Sequence, residues 1–191
     1  MRRRHVAGIL AAVVVLALGG CSLFAERPAA QAVWPAADED RLEWATEEPF
    51  FVVVRKSCRT LDVYQHGDRV RSYPAVFGYG GARDKLYEGD RRTPNGLYAI
   101  VEKRRHPNWR WFFLLDYPNG SDWHRYWNGV ALGDVPPGVG IGGAVGIHGS
   151  DRPDSNRRGI DWTWGCVSVD NDSIEDLADL VPVGTPVLIQ D

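Results

Sequence analysis

Apolar positions in this chain fall in short runs broken by glycine, proline and charge. Phe50–Val54 (FFVVV) is a run of β-formers that reads as a buried strand, and Thr60–Tyr64 alternates as a half-buried strand does. His66-Gly67-Asp68 reads as the turn to a returning strand over 70–77, so a meander is predicted. Residues 78–95 are glycine-rich and charged, hence loop, and a strand pattern resumes over Leu97–Val101. The stretch 102–109 is polar, and Arg110–Asp116 (RWFFLLD) is a strongly apolar strand. Residues 117–143 mix aromatics with glycine and proline; they are expected to form a long irregular lid or cleft wall, with a short helical turn around Trp123, His124, Tyr126 and Trp127. Ala144–His148 and Cys166–Val169 read as strands flanking a polar loop over 149–162. Asp172 with Glu175 three residues on matches a capping box, and Ile174, Leu177, Ala178 and Val181 recur at helical spacing, so a helix is predicted over 173–181. Val187–Ile189 closes the chain as a strand. The sum is a mainly β fold, a sandwich or barrel, with one short helix after Cys166.

The N-terminus breaks this pattern. Arg2–Arg4 precede an apolar run from Val6 to Leu18, too short for a comfortable membrane span and suited to a signal peptide. Leu18-Gly19-Gly20-Cys21 resembles the bacterial lipoprotein signal, which implies cleavage before Cys21, a diacylglycerol on its thiol and an acylated new amino terminus. Several acyl chains anchor a protein firmly where one gives marginal binding. An ordinary secretory signal and an uncut membrane anchor are the alternatives. Residues 1–20 are therefore assigned to the signal, 21–48, rich in Ala, Pro and charge, to a tether, and 49–191 to one domain. The expected location is the bacterial cell envelope, lipid-anchored to a membrane and facing the periplasm.

Composition narrows the function classes. A net charge of −3 gives no concentrated basic footprint for nucleic acid. Eight Trp and seven Tyr are many for 191 residues and serve either packing or a cleft for glycan or peptide. His66, His106 and His124 are widely spaced, with no HExxH or CxxC, so no metal and no cofactor is expected. No GxSxG elbow supports a serine nucleophile.

The candidate chemistry lies in VGIHGS at 145–150 and TWGCVSV at 163–169. A histidine ends one strand and a cysteine opens another, and a neighbouring imidazole can take a thiol's proton to give a usable nucleophile. Gly165 leaves room beside the sulfur, and its amide with that of Cys166 is a candidate oxyanion donor. No acid adjoins His148, so the Gly149 carbonyl or Asp151 is expected to orient the ring. With Cys21 lipidated, Cys58 and Cys166 remain in a disulfide-permissive compartment and could pair. A free thiol at Cys166 is the sharper reading, because Cys58 lies in the polar turn KSCRT.

The segment from about 50 to 190 resembles the L,D-transpeptidase catalytic domain, the YkuD-like family, as a divergent branch. His148-Gly149 and the step to Cys166 match the family signature, as do Thr163, Gly165, Cys166 and Val167. Thr93-Pro94-Asn95-Gly96-Leu97-Tyr98 resembles its TPxGxY/F segment, and LDVY at 61–64 its early hairpin. The resemblance implies an L,D-transpeptidase-like β fold and an acyl-enzyme on peptidoglycan stem peptides. Cys166 would attack the carbonyl of the third residue of a tetrapeptide and release D-alanine, with His148 as base and then acid. An amine of a second stem, or of an envelope lipoprotein, would resolve the thioester. Two positions depart from the family: Trp164 stands where it has a second histidine, and Ser168 where it has arginine. Trp164, Thr163, Ser168, Arg157, Arg158 and Trp127 are the expected substrate contacts, the arginines as possible partners of a stem carboxylate. The departures leave open an L,D-carboxypeptidase or a hydrolase of peptidoglycan–lipoprotein links, as in a branch that lacks the arginine. A non-catalytic peptidoglycan-binding lipoprotein is the remaining alternative.

Overall fold

The computed structural model describes residues 48–191. The expected signal segment, Cys21 and all of the tether but Glu48 lie outside the described residues.

Strands β1 (Phe50–Arg55), β2 (Thr60–Gln65) and β3 (Asp68–Pro74) form the predicted antiparallel meander. The C-terminal strand β8 (Pro186–Gln190) pairs with β1 in parallel, Val53 opposite Leu188. It takes β4 (Gly96–His106) on its other side, antiparallel. Then come β5 (Arg110–Leu115), β6 (Gly146–His148) and β7 (Val167–Ser168), giving the order β3-β2-β1-β8-β4-β5-β6-β7. The result is the mainly β fold that the pattern predicts, an eight-stranded sheet curled into a half-barrel. β1 is a continuous apolar run because both of its faces are covered. Val52 and Val54 join Ile100, Phe113 and Leu115 in the main core, while Phe51 and Val53 pack with Leu188 on the other side.

Three elements differ from the sequence pattern. β4 runs on through the polar stretch to His106, because its ladder to β5 is made by backbone and tolerates polar side chains on an exposed hairpin. The segment expected to be irregular holds the helix α1 (Gly120–Leu132). Asn119 caps it by accepting from the Ser121 and Asp122 amides, and the Asp122 carboxylate accepts from the Asn119 amide. That capping box was readable, as was Gly133 at φ 79 ending the helix. A short helix α2 (Pro153–Arg157) interrupts the 149–162 loop. The predicted helix is present as α3 (Asn171–Leu180), but Asp170 caps it instead of Asp172. Glu175 closes no capping box; it accepts from Trp111 Nε1 at 2.8 Å and from Arg105.

β6 is short and lies hard against β5. A Cβ on Gly146 would run into the Phe113 carbonyl oxygen and the Phe112 ring. Gly146→Ala is therefore expected to push β6 off β5 and cost about 1–3 kcal/mol. Denaturant unfolding checks this, and an unchanged midpoint would show that the strand can yield.

Candidate active site

His148 is the last residue of β6, opposite Phe112 of β5 on one side and Ser168 of β7 on the other. Cys166 lies just before β7, which runs parallel to β6. Two residues span about 7 Å of strand, and side chains two apart share a face, so the register turns Cys166 toward the face of His148. The sulfur takes a hydrogen bond from the Gly146 amide, two residues before His148 on the same strand. It also lies 3.7 Å from the Ala144 carbonyl oxygen.

The imidazole is enclosed by aromatic rings. It stacks on Trp109 with centroids 4.2 Å apart, and Trp162 meets it edge-on at 5.7 Å. Only 1% of His148 is exposed. Nδ1 lies 2.6 Å from the Gly149 carbonyl oxygen. A carbonyl can only accept, so Nδ1 carries the hydrogen and the neutral ring keeps its lone pair on Nε2. A side chain on Gly149 would strike the Trp109 carbonyl and Asn171 Oδ1, so only glycine fits. The Gly149 carbonyl also accepts from Ser168 Oγ at 3.1 Å, and Ser168 Oγ accepts from Asn156 Nδ2 at 3.1 Å. Asn156 Oδ1 is held in turn by Ser150 Oγ at 2.8 Å and Trp162 Nε1 at 2.9 Å. Burial pulls the imidazole down to about 4, against the opposing pull of the Gly149 bond and Asp151.

Cys166 is a free thiol, which excludes a disulfide to Cys58. Burial pushes it up to about 11, with the Gly146 amide and Lys85 pulling the other way. At neutral pH the pair is a thiol beside a neutral imidazole. The turn before Cys166 is closed by Thr163, whose Oγ1 donates to the Cys166 carbonyl at 2.6 Å and accepts from the Gly165 amide at 3.2 Å. Gly165 adopts φ 133, where a side chain would be strained and would press on the Arg92 carbonyl. The turn is fastened to the loop after β3. Tyr79 N donates to the Thr163 carbonyl, and Asp161 takes the Arg59 guanidinium at 2.8 and 3.0 Å and the Phe77 amide at 2.9 Å.

Two of the expected contacts turn inward. Ser168 and Thr163 are buried and bonded inward, so they build the framework and present no atom to a substrate. The Gly165 amide is taken by Thr163 and is not a free oxyanion donor. Arg157 pairs with Asp154 within α2, and Arg158 is exposed at the end of that helix. Trp127 sits on α1 against Trp123 and Tyr126. Trp164 is 74% exposed at the rim of the turn. Trp109, Trp162 and Asn156 were missed: Trp109 reaches His148 only through the β5–β6 register, which leaves no local pattern. No group of three His, Cys, Asp or Glu able to hold a metal occurs among the described residues.

A family model described as the L,D-transpeptidase catalytic domain, YkuD, matches residues 48–189. The chain is 26% identical over 141 residues to a Bacillus licheniformis protein provisionally named as the L,D-transpeptidase YkuD, covering 74% of this chain and 66% of that protein. Among solved structures it resembles Bd1075 of Bdellovibrio bacteriovorus, at 27% identity and TM-score 0.54, over 75% of this chain and 48% of that one. An L,D-transpeptidase of Xylanimonas cellulosilytica shares the fold at 20% identity and TM-score 0.51, over 75% of this chain and 61% of that one. The chain thus spans about half the length of Bd1075 and just under two thirds of the Bacillus relative.

The buried imidazole makes stability depend on pH. The unfolded chain takes the proton near the ordinary 6.5 and the folded one only near 4, so protonation favours unfolding. The stabilisation is complete above the unfolded value and is lost as pH falls from 6.5 toward 4, by roughly 3 kcal/mol. Urea unfolding of the native protein and of His148→Gln at pH 7 and pH 4.5 should show a steeper acid loss in the native protein. Equal losses would mean that the ring is not held neutral.

Proposed function

Because the chain belongs to the L,D-transpeptidase catalytic domain family, we propose that it is a cysteine-dependent acyl transferase acting on peptidoglycan tetrapeptide stems. The observation that carries this is the β6–β7 register, which sets a free thiol and an Nδ1-anchored imidazole on one face. In the resting site the proton stays on sulfur, since the thiol is pushed up and the imidazole pulled down. Transfer to Nε2 is uphill and is therefore coupled to formation of the C–S bond. Cys166 Sγ attacks the carbonyl of the third residue while its proton passes to His148. The oxyanion that forms can meet the amide of Cys166 itself, the Gly165 amide being engaged elsewhere. Collapse breaks the C–N bond, and His148 returns the proton to the departing amine of D-alanine. The thioester is resolved by an amine of a second stem or of an envelope lipoprotein.

Water can replace the amine, which makes the protein an L,D-carboxypeptidase or a hydrolase, and the products decide between these outcomes. Cys21 after Leu18-Gly19-Gly20 supports lipidation there, an anchor in the bacterial envelope and access to peptidoglycan from the periplasmic side.

Incubation with tetrapeptide muropeptides is expected to release D-alanine and leave a mass adduct on Cys166. Cys166→Ala is expected to lower the rate by ~1000-fold or more. Cross-linked dimers indicate an amine acceptor, and shortened stems indicate water. Undiminished D-alanine release by Cys166→Ala would remove the cysteine from the mechanism.

A further inference from the structure

At the rim of the Cys166 turn, one arginine lies over two exposed aromatic rings. The Arg91 guanidinium carbon is 4.8 Å from the ring centroid of Tyr79 and 5.1 Å from that of Trp164. Tyr79 is 44% exposed. Stacking holds the faces of a guanidinium and leaves its N–H edges free, the geometry that receives a carboxylate through two parallel bonds. No acceptor among the described residues takes those edges. Among the neighbouring cations, Arg59 is committed to Asp161 and Lys85 to Asp90, while Arg92 reaches the Gly80 carbonyl through Nε alone, at 3.4 Å.

The loop that carries Arg91 is firmly built. The buried Asp90 carboxylate accepts from Lys85 Nζ at 2.8 Å and from the Leu86, Tyr87 and Arg92 amides at 2.6, 3.2 and 3.0 Å. Burial alone would raise Asp90, yet these donors hold it below the usual carboxylate range. Gly80 N donates to the Arg91 carbonyl at 2.8 Å. A side chain on Gly78 would strike that carbonyl and the Gly165 Cα together, so Arg91 and the cysteine turn are packed against one glycine. Arg91 itself has φ 59, an uncommon conformation for a residue with a long side chain, maintained by the Asp90 knot.

We propose that Arg91, seated on Tyr79 and Trp164, binds a carboxylate at the scissile end of the stem peptide. This rests on the acyl-transfer reading above, which supplies the peptide. Two carboxylates lie near the bond broken: that of the terminal D-alanine and that on the side chain of a diaminopimelate at position three. Either matches the fork. Trp164 and Tyr79 then serve as the seat of the cation, which accounts for two large aromatic side chains left open to solvent.

The test is titration calorimetry of the stem tetrapeptide against Cys166→Ala and Cys166→Ala/Arg91→Asn, asparagine being a residue that accepts the left-handed backbone. The peptide is used as the acid, as each monoamide at the two carboxylates, and as the diamide. The acid is expected to bind about 10–100-fold more weakly to the double variant. The diamide is expected to bind both proteins alike, and the monoamide that behaves like the diamide identifies the carboxylate. Equal binding of the acid to both proteins, an equal loss for the diamide, or no binding of the acid to Cys166→Ala would each overturn the proposal. Arg91-dependent binding without D-alanine release by the native protein would leave the clamp standing and refute acyl transfer. Release with Arg91-independent binding would do the reverse.

Discussion

A buried imidazole must hold one ring nitrogen against a fixed partner, and here that partner is the Gly149 carbonyl, 2.6 Å from His148 Nδ1. Much of the surrounding structure serves this bond. The carbonyl is fixed by Ser168 Oγ, Ser168 by Asn156, and Asn156 by Ser150 and Trp162. The Gly149 amide donates to the Trp109 carbonyl at 3.1 Å, and the Trp109 ring stacks on the imidazole. Trp109, at the end of the turn into β5, is thus tied both to the histidine ring and to the residue that follows it. Buried donors left without acceptors would each cost about 1–3 kcal/mol, so a network this enclosed holds one arrangement.

The cysteine side is built by different means. Its turn is closed by Thr163 and pressed against the Arg92 carbonyl at Gly165, while Asp161 and Tyr79 fasten it to the loop after β3. β6 and β7 then bring the two halves into register. Burial pulls the imidazole down and pushes the thiol up, so both groups are neutral at rest and the proton lies on sulfur. A resting site of this kind resists loss of its thiol to stray electrophiles, since the reactive thiolate is scarce.

Strand positions were readable because runs such as Phe50–Val54 and Arg110–Leu115 carry their burial in their composition. The sheet order was not, since the parallel pairing of β1 with β8 joins the two ends of the domain. α1 was hidden by its glycines and aromatics, although its cap and its terminating Gly133 were present in the sequence. His148, Gly149 and Cys166 stood out by glycine placement and spacing. The roles of Thr163 and Ser168 could not be read in the same way. Both are small polar residues that a motif offers to a substrate, and only the fold shows their hydroxyls turned inward. Trp109 and Trp162 left no local signal because their contact with His148 depends on which strand lies beside which.

The neutral, Nδ1-protonated state of His148 is the claim on which the chemistry rests, and nitrogen-15 NMR of the labelled imidazole tests it directly. Between pH 5.5 and 8 the ring should show a protonated Nδ1 and an unprotonated Nε2, with titration beginning only on approach to pH 4. A doubly protonated ring at pH 7 would instead establish a thiolate–imidazolium pair and contradict the neutral dyad.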